Sequence, residues 1–287
     1  LKKGIVVRNR TTQAGCKNCL RISVGTPSEN TQLFIAIAVF LVLLLIFELF
    51  DIAFSSNDLI SEMIQNTIFR IVGGVIFVLL MITSGFKTVF TWKRPFLVSM
   101  VFIIPALLIA VNNFPIIAYL DGRAMITESS SAVLIFALEC ISVGFFEEVI
   151  FRGLILVLLI QKFSKTKQEL FIAIVLSSSI FGLMHLWNLM MGASFYDTFL
   201  QVGYSFLMGM MWAIVFLKTK NIWFVVFLHA AYNFFGRVVT TLGTVNNQFD
   251  TATIVLTVVL SVIVACSMFY VFLQLNVKEV QELSTLE

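Results

Sequence analysis

From Gln32 onward the chain alternates long apolar runs with short polar breaks. A hydrocarbon core of about 30 Å takes about 20 helical residues to cross. Eight runs meet that length, at about 33–54, 68–86, 95–120, 129–160, 170–191, 199–217, 222–241 and 251–275. Within them apolar residues are continuous and do not alternate with polar ones, so they predict helices, not barrel strands. Pro105 and Pro115 are expected to kink the third. The pattern predicts an all-α, polytopic membrane protein with about eight transmembrane helices in a membrane domain over 33–276, followed by a short tail at 277–287.

Residues 1–32 follow a different pattern: an apolar strand around Ile5-Val6-Val7, a polar loop, a second strand around Leu20-Arg21-Ile22, then Thr26-Pro27-Ser28-Glu29. The last four form a capping box with Pro at the first helical position, so a helix is expected to start near Pro27. Two short strands build no core, and this head is not expected to be an independent domain. The stretch GIVVRNRTTQAGCKNCLRISVGTPSENTQL resembles the C-terminal end of histidinol-phosphate aminotransferases. In that family the arginine matching Arg21 contacts substrate, but the cofactor lysine and the catalytic domain have no counterpart here. The head is expected to be a fusion remnant or a gene-boundary artefact without transaminase activity and with no bound pyridoxal phosphate. A sequence opening on Leu1, with no secretory signal, is expected to be a fragment, a processed form or a fusion. Cys16 and Cys19 are half of a zinc-type spacing and read as incidental thiols.

Composition reinforces the membrane reading: 59% of the 287 residues are hydrophobic and 12% are charged. Soluble domains run at about 45–50% and about 25%. A net charge of +3 argues against a nucleic-acid partner. With the N-terminus in the cytoplasm, the cytoplasmic segments hold 15 of the 19 basic residues. By the positive-inside rule both termini are then cytoplasmic, and the expected location is a plasma membrane, bacterial by the origin of the head.

The charges that remain inside the apolar runs carry the candidate chemistry. Glu139, Glu147, Glu148 and Arg152 sit in the fourth run, where each would cost about 2.5–3.5 kcal/mol facing lipid. Glu148 and Arg152 are four apart and can pair, whereas Glu147 points roughly 100° away. The chain has only two histidines. His185 lies in the fifth run, and His229 in the seventh, four residues before Asn233 and on the same helix face. A carboxylate with an imidazole suits proton abstraction from water. An imidazole with an amide suits an oxyanion. Glu147, His185 and His229 would equally serve as zinc ligands. A proton relay in a transporter uses the same residue types.

Glu147-Glu148-x-x-x-Arg152, Phe181-x-x-x-His185 and His229-x-x-x-Asn233, in that order, resemble the motifs of the CPBP intramembrane proteases. That family includes the type II CAAX prenyl endopeptidases and bacteriocin-processing or immunity proteins. The resemblance spans about 35–275, with its core at 131–240. It implies an intramembrane endopeptidase acting on a peptide or prenylated peptide, with Glu147 and His185 activating water, His229 and Asn233 holding the oxyanion, and Glu148 and Arg152 supporting them. A transporter and a non-catalytic immunity protein are the rival readings. One mismatch stands out. Counted at about 1.5 Å per residue from the cytoplasmic ends, Glu147 and His185 lie about 20 Å deep but His229 about 10 Å.

Overall fold

The computed structural model describes residues 6–9, 20–23 and 53–284. The first two stretches are strands β1 (Val6–Asn9) and β2 (Leu20–Ser23), paired antiparallel with Val7 opposite Ile22 and Arg8 opposite Arg21. The Cys16/Cys19 pair and the helix expected from Pro27 lie outside the described residues. So does the first expected span, apart from Ala53 and Phe54.

The remaining seven expected spans all fall on helices. In chain order these are α1 (Asp58–Thr83), α2 (Phe96–Asn112), α3 (Ile116–Leu120), α4 (Ser130–Glu148), a π-helical segment (Val149–Leu156), α5 (Val157–Lys162), α6 (Lys167–Met184), α7 (Trp187–Met190), α8 (Phe195–Thr219), α9 (Ile222–Leu242), α10 (Thr251–Leu273) and α11 (Val277–Gln281). Among the described residues five helical stretches are long and apolar enough to cross a bilayer, those starting at Asp58, Lys167, Phe195, Ile222 and Thr251. The chain is an all-α integral membrane protein.

Three expected boundaries are corrected. First, α1 begins ten residues before the apolar run, because Asn57 caps it by accepting the Ile60 amide at 3.1 Å. A helix does not stop where its apolar face does. Second, the run at 95–120 is broken rather than kinked: α2 ends at Asn112 and a new short helix starts after Pro115. Proline supplies no amide and biases the residue before it away from helix, whereas Pro105 is tolerated inside α2. Third, α6 stops at Met184, so the fifth run is not one helix to its end.

The period of the apolar runs also gives no hint of strands β3 (Ala124–Ile126) and β4 (Gly243–Val245), which pair antiparallel and tie the end of α9 to the segment after α3. Gly243 is required there, since a Cβ at that position would lie 1.9 Å from the Met125 carbonyl oxygen. Beside the ribbon Arg123 bonds the Asn247 carbonyl at 2.7 Å and pairs with Asp250 at 2.5 Å. The Thr253 amide and the Arg123 guanidinium hold the Asp250 carboxyl below the usual aspartate range.

Candidate active site

Four helices supply the polar interior. α4 delivers Glu147 and Glu148 at its last two positions, and the π-helical turns that follow carry Arg152. Single π-helical insertions recur at functional sites because the widened turn redirects side chains and frees backbone groups. Here the Ser177 hydroxyl of α6 donates to the Phe151 carbonyl at 3.2 Å inside that segment.

Glu148 is the hub. Its Oε1 accepts from Arg152 Nη1 at 2.7 Å and from His229 Nδ1 at 2.7 Å, and Glu148 and Arg152 are 0% and 1% exposed. A carboxylate ionised by a guanidinium only accepts, so the shared contact places a hydrogen on Nδ1 of His229. Removing both charges from water costs several kcal/mol per ion, which the mutual attraction offsets only with good geometry. Glu148 Oε2 and Arg152 Nη2 find no partner among the described residues. The remaining solvation of Arg152 is aromatic: its Cζ lies 4.4 Å from the Phe181 ring centroid.

How His229 reaches Glu148 resolves the mismatch in depth. The turn between α8 and α9 is recessed, with Thr219, Lys220, Asn221 and Ile222 all buried. Trp223 stacks on Phe145 at 6.1 Å, and Ile222 packs against Gly153. Gly153 is nine residues, about 13 Å, inboard of the Lys162 end of its helix. α9 therefore starts deep, and a residue two turns along it lies level with Glu148. The buried Lys220, in the left-handed conformation at φ 54°, is neutralised by Glu279 at 3.4 Å and Glu282 at 3.0 Å.

Close approach of α4 and α9 depends on Gly144, one turn before Glu148. A Cβ there would lie 2.6 Å from the Val226 carbonyl oxygen, and small residues at helix interfaces let backbones approach in this way. Gly144→Ala is expected to force α9 away, weaken the Glu148–His229 contact and lower stability by about 1–3 kcal/mol. Thermal unfolding in detergent checks this, and an unchanged melting temperature would contradict it. Gly182 and Gly209 do the same between α6 and α8, with Cβ positions 2.8 Å from the Val202 carbonyl oxygen and 3.1 Å from the Ser178 Cβ.

His185 caps α6. Its Nδ1 bonds the Phe181 carbonyl at 3.1 Å, which leaves Nε2 as an acceptor. The Phe181 ring meets His185 edge-on at 5.3 Å and His229 edge-on at 5.9 Å, so one phenylalanine carries both histidines and the guanidinium. Trp212 of α8 stacks on His229 at 6.4 Å. Motif spacing singles out Phe181 without giving it a role, and the apolar runs hide Gly144, Ser177 and Trp212 entirely.

Glu147 is a quarter exposed, and its Oε2 stands 3.7 Å from His229 Nε2. Two acceptor or donor atoms at that separation can share one water at ordinary hydrogen-bond lengths of about 2.7–3.0 Å. Among the described residues no group of three His, Cys, Asp or Glu side chains stands close enough to hold a metal ion. Of the zinc candidates Glu147, His185 and His229, the recorded contact joins the first and last only. Asn233 lies half-buried one turn beyond His229.

Residues 129–235 match the family model described as type II CAAX prenyl endopeptidase, Rce1-like. The match contains every residue of the cluster. The head matches histidinol-phosphate aminotransferases: 61% identity over 33 residues with the protein of Christiangramia forsetii, covering 12% of this chain and 9% of that one, and 63% over 30 residues with that of Flavobacterium johnsoniae, covering 10% and 9%. The chain thus spans about a tenth of the length of these relatives. No solved structure matches.

Proposed function

We propose that this chain is an intramembrane endopeptidase of the CAAX prenyl protease type, hydrolysing a peptide or prenylated peptide drawn from the bilayer. The observation that carries the reading is the contact set around Glu148. A carboxylate held by Arg152 orients His229, and the Nε2 of that ring faces a second, accessible carboxylate, Glu147.

The roles follow from the donors and acceptors. Glu147 takes a proton from a water held between it and the imidazole cluster, with the free Nε2 of His185 as the second basic group. His229, protonated on Nδ1 against Glu148, donates through Nε2 when doubly protonated and so stabilises the oxyanion. Asn233 adds an amide donor one turn along α9. Glu148 and Arg152 orient His229, as the aspartate of a serine-protease triad orients its histidine. The water oxygen adds to the scissile carbonyl carbon, and the nitrogen leaves with the proton Glu147 carried. The five ionisable groups of the cluster all lie within the residues that match a protease family, which favours this over a proton relay.

The native substrate emerges from comparing peptide ends in membranes that contain the wild-type chain or Glu147→Ala. New ends that depend on Glu147 support the reading. Identical peptide ends in both contradict it.

A further inference from the structure

α9 runs from the recessed turn at one end of the bundle to β4 at the other. At the turn end, the last turn of α8 and the segment joining α10 to α11 enclose a cavity of about 140 Å³, several times the space one water needs. Arg94, Lys218, Gln274, Asn276 and Glu279 supply its polar wall. None of them belongs to the Glu148 cluster.

The side chains of this wall have spent their acceptors and kept their donors. Glu279 already accepts from Arg94 and pairs with Lys220. Gln274 Oε1 accepts from Lys218 at 3.4 Å, and Asn276 Oδ1 caps α11 by accepting the Lys278 amide at 3.0 Å. The amide nitrogens of Gln274 and Asn276 and the remaining N–H groups of Arg94 bond nothing among the described residues, and Lys218 spends one donor on its single long contact. Lys218 also has no carboxylate within ion-pair distance among the described residues, since Arg94 and Lys220 take Glu279 and Glu282. Its Nζ stands over the Phe102 ring of α2, 4.8 Å from the centroid.

The carbonyl ends of α8 and α10 also lie here, and their dipoles oppose an anion. Lys167 offsets that of α10 by donating to the Phe272 and Leu273 carbonyls at 3.0 and 2.6 Å, and Lys220 caps α8. Arg94, Lys167, Lys218 and Lys220 then outnumber Glu279 and Glu282 around the cavity. Donors converge from three elements: the segment before α2, the end of α8 and the segment before α11. A tetrahedral phosphate presents acceptors in all those directions, whereas a planar carboxylate presents them in one plane. The depth of the cavity points to the source. Trp92 is 56% exposed, with its ring centroid 5.5 Å from that of Phe224 and 5.9 Å from that of Phe96, and tryptophans in such positions mark the headgroup level. Arg94 follows two residues later, and α2 opens beside it on the exposed Phe96, Leu97 and Val98.

We propose that this cavity binds a phosphate oxyanion, supplied by the headgroup of an anionic phospholipid. Basic pockets between helices at a membrane surface hold headgroups in this way. The ligand bridges Arg94 and Lys218 to the segment carrying Gln274 and Asn276, and so fastens the start of α11 to the end of α8. The inference is independent of the peptidase reading.

The test titrates dioctanoyl phosphatidylglycerol, dioctanoyl phosphatidylcholine and inorganic phosphate onto the full-length chain in a neutral detergent. Affinity is read from the saturable rise in melting temperature. Lys218→Met keeps an apolar stem over Phe102 without the charge. Asn276→Asp keeps the cap of α11 and exchanges the free amide for an acceptor, so it tests the site even if Lys218→Met fails to fold. Lys165→Met removes an exposed charge outside the cavity wall. Phosphatidylglycerol is expected to bind at least about tenfold more tightly than phosphatidylcholine, and both cavity variants should lose that ratio while Lys165→Met keeps it. Inorganic phosphate binding as tightly as phosphatidylglycerol, with the same dependence on Lys218 and Asn276, supports the oxyanion site but makes free phosphate its source and overturns the lipid assignment. No saturable rise with either anion overturns the inference. An equal loss in all three variants, or a ratio that survives both cavity variants, also overturns it and leaves only general attraction to a basic surface.

Discussion

A chain carrying Glu147→Gln is expected to fold and bind peptide as the wild type does while hydrolysing it about 10²–10⁴-fold more slowly. The amide keeps the volume and the hydrogen-bonding capacity of the side chain but takes no proton, which is the contribution general-base catalysis makes. Glu147 is the carboxylate for this role because it is the accessible one. Its neighbour Glu148 is fully buried and already bonded to Arg152 and His229 through one oxygen, whereas Glu147 stands 3.7 Å from His229 Nε2, a separation at which both atoms can bond one water. The separation of binding from rate is what matters: kcat should fall while KM changes little. A variant that hydrolyses at the wild-type rate removes Glu147 from the mechanism.

The second large effect concerns the fold. Glu148→Ala leaves a guanidinium that is 1% exposed without its counter-charge and strips His229 of its acceptor. Breaking a buried pair by deleting one partner costs about 3–5 kcal/mol, because the surviving charge remains desolvated. Arg152→Ala should cost a similar amount for the mirror-image reason. The double replacement Glu148→Leu with Arg152→Met removes both charges and is expected to be less destabilised than either single variant, though inactive. Melting temperatures of the three in one detergent decide it. Additive losses would mean that the pair is not coupled as its 2.7 Å contact implies.

Which parts of this were legible follows from what apolar patterning encodes. Burial in lipid and burial in protein look alike in sequence, so the spans from residue 68 onward were readable but their ends were not: Asn57 and Ser129 set helix starts through single capping bonds. The motif residues stood out because ionisable groups are rare in such runs. Glu148 with Arg152 was predictable from a spacing of four, and the structure keeps that contact even though Arg152 sits in a π-helical segment. The partnership of Glu148 with His229 was not, since it depends on a recessed turn at Lys220–Asn221 that reads in sequence as an ordinary polar boundary. Nothing in Val149–Leu156 announces a change of helical period. Gly144 is one of 15 glycines, and only the Val226 carbonyl facing it identifies the close approach that brings α9 to α4.

Orientation remains a proposal from the basic residues, and it makes the end of the bundle with β3 and β4 the extracellular one. Arg70, Arg123 and Arg237 then lie toward that end, against the general bias. For Arg70 and Arg123 a carboxylate partner offsets the charge.

The most direct measurement places the purified wild-type chain in lipid vesicles with a farnesylated peptide in ¹⁸O-labelled water, follows peptide fragments by mass spectrometry, and records proton flux across the same vesicles. The account predicts a Glu147-dependent cut with one ¹⁸O atom in the newly formed carboxylate and no flux driven by a proton gradient. Intact peptide together with Glu147-dependent proton movement would contradict it and make the buried cluster a transport relay.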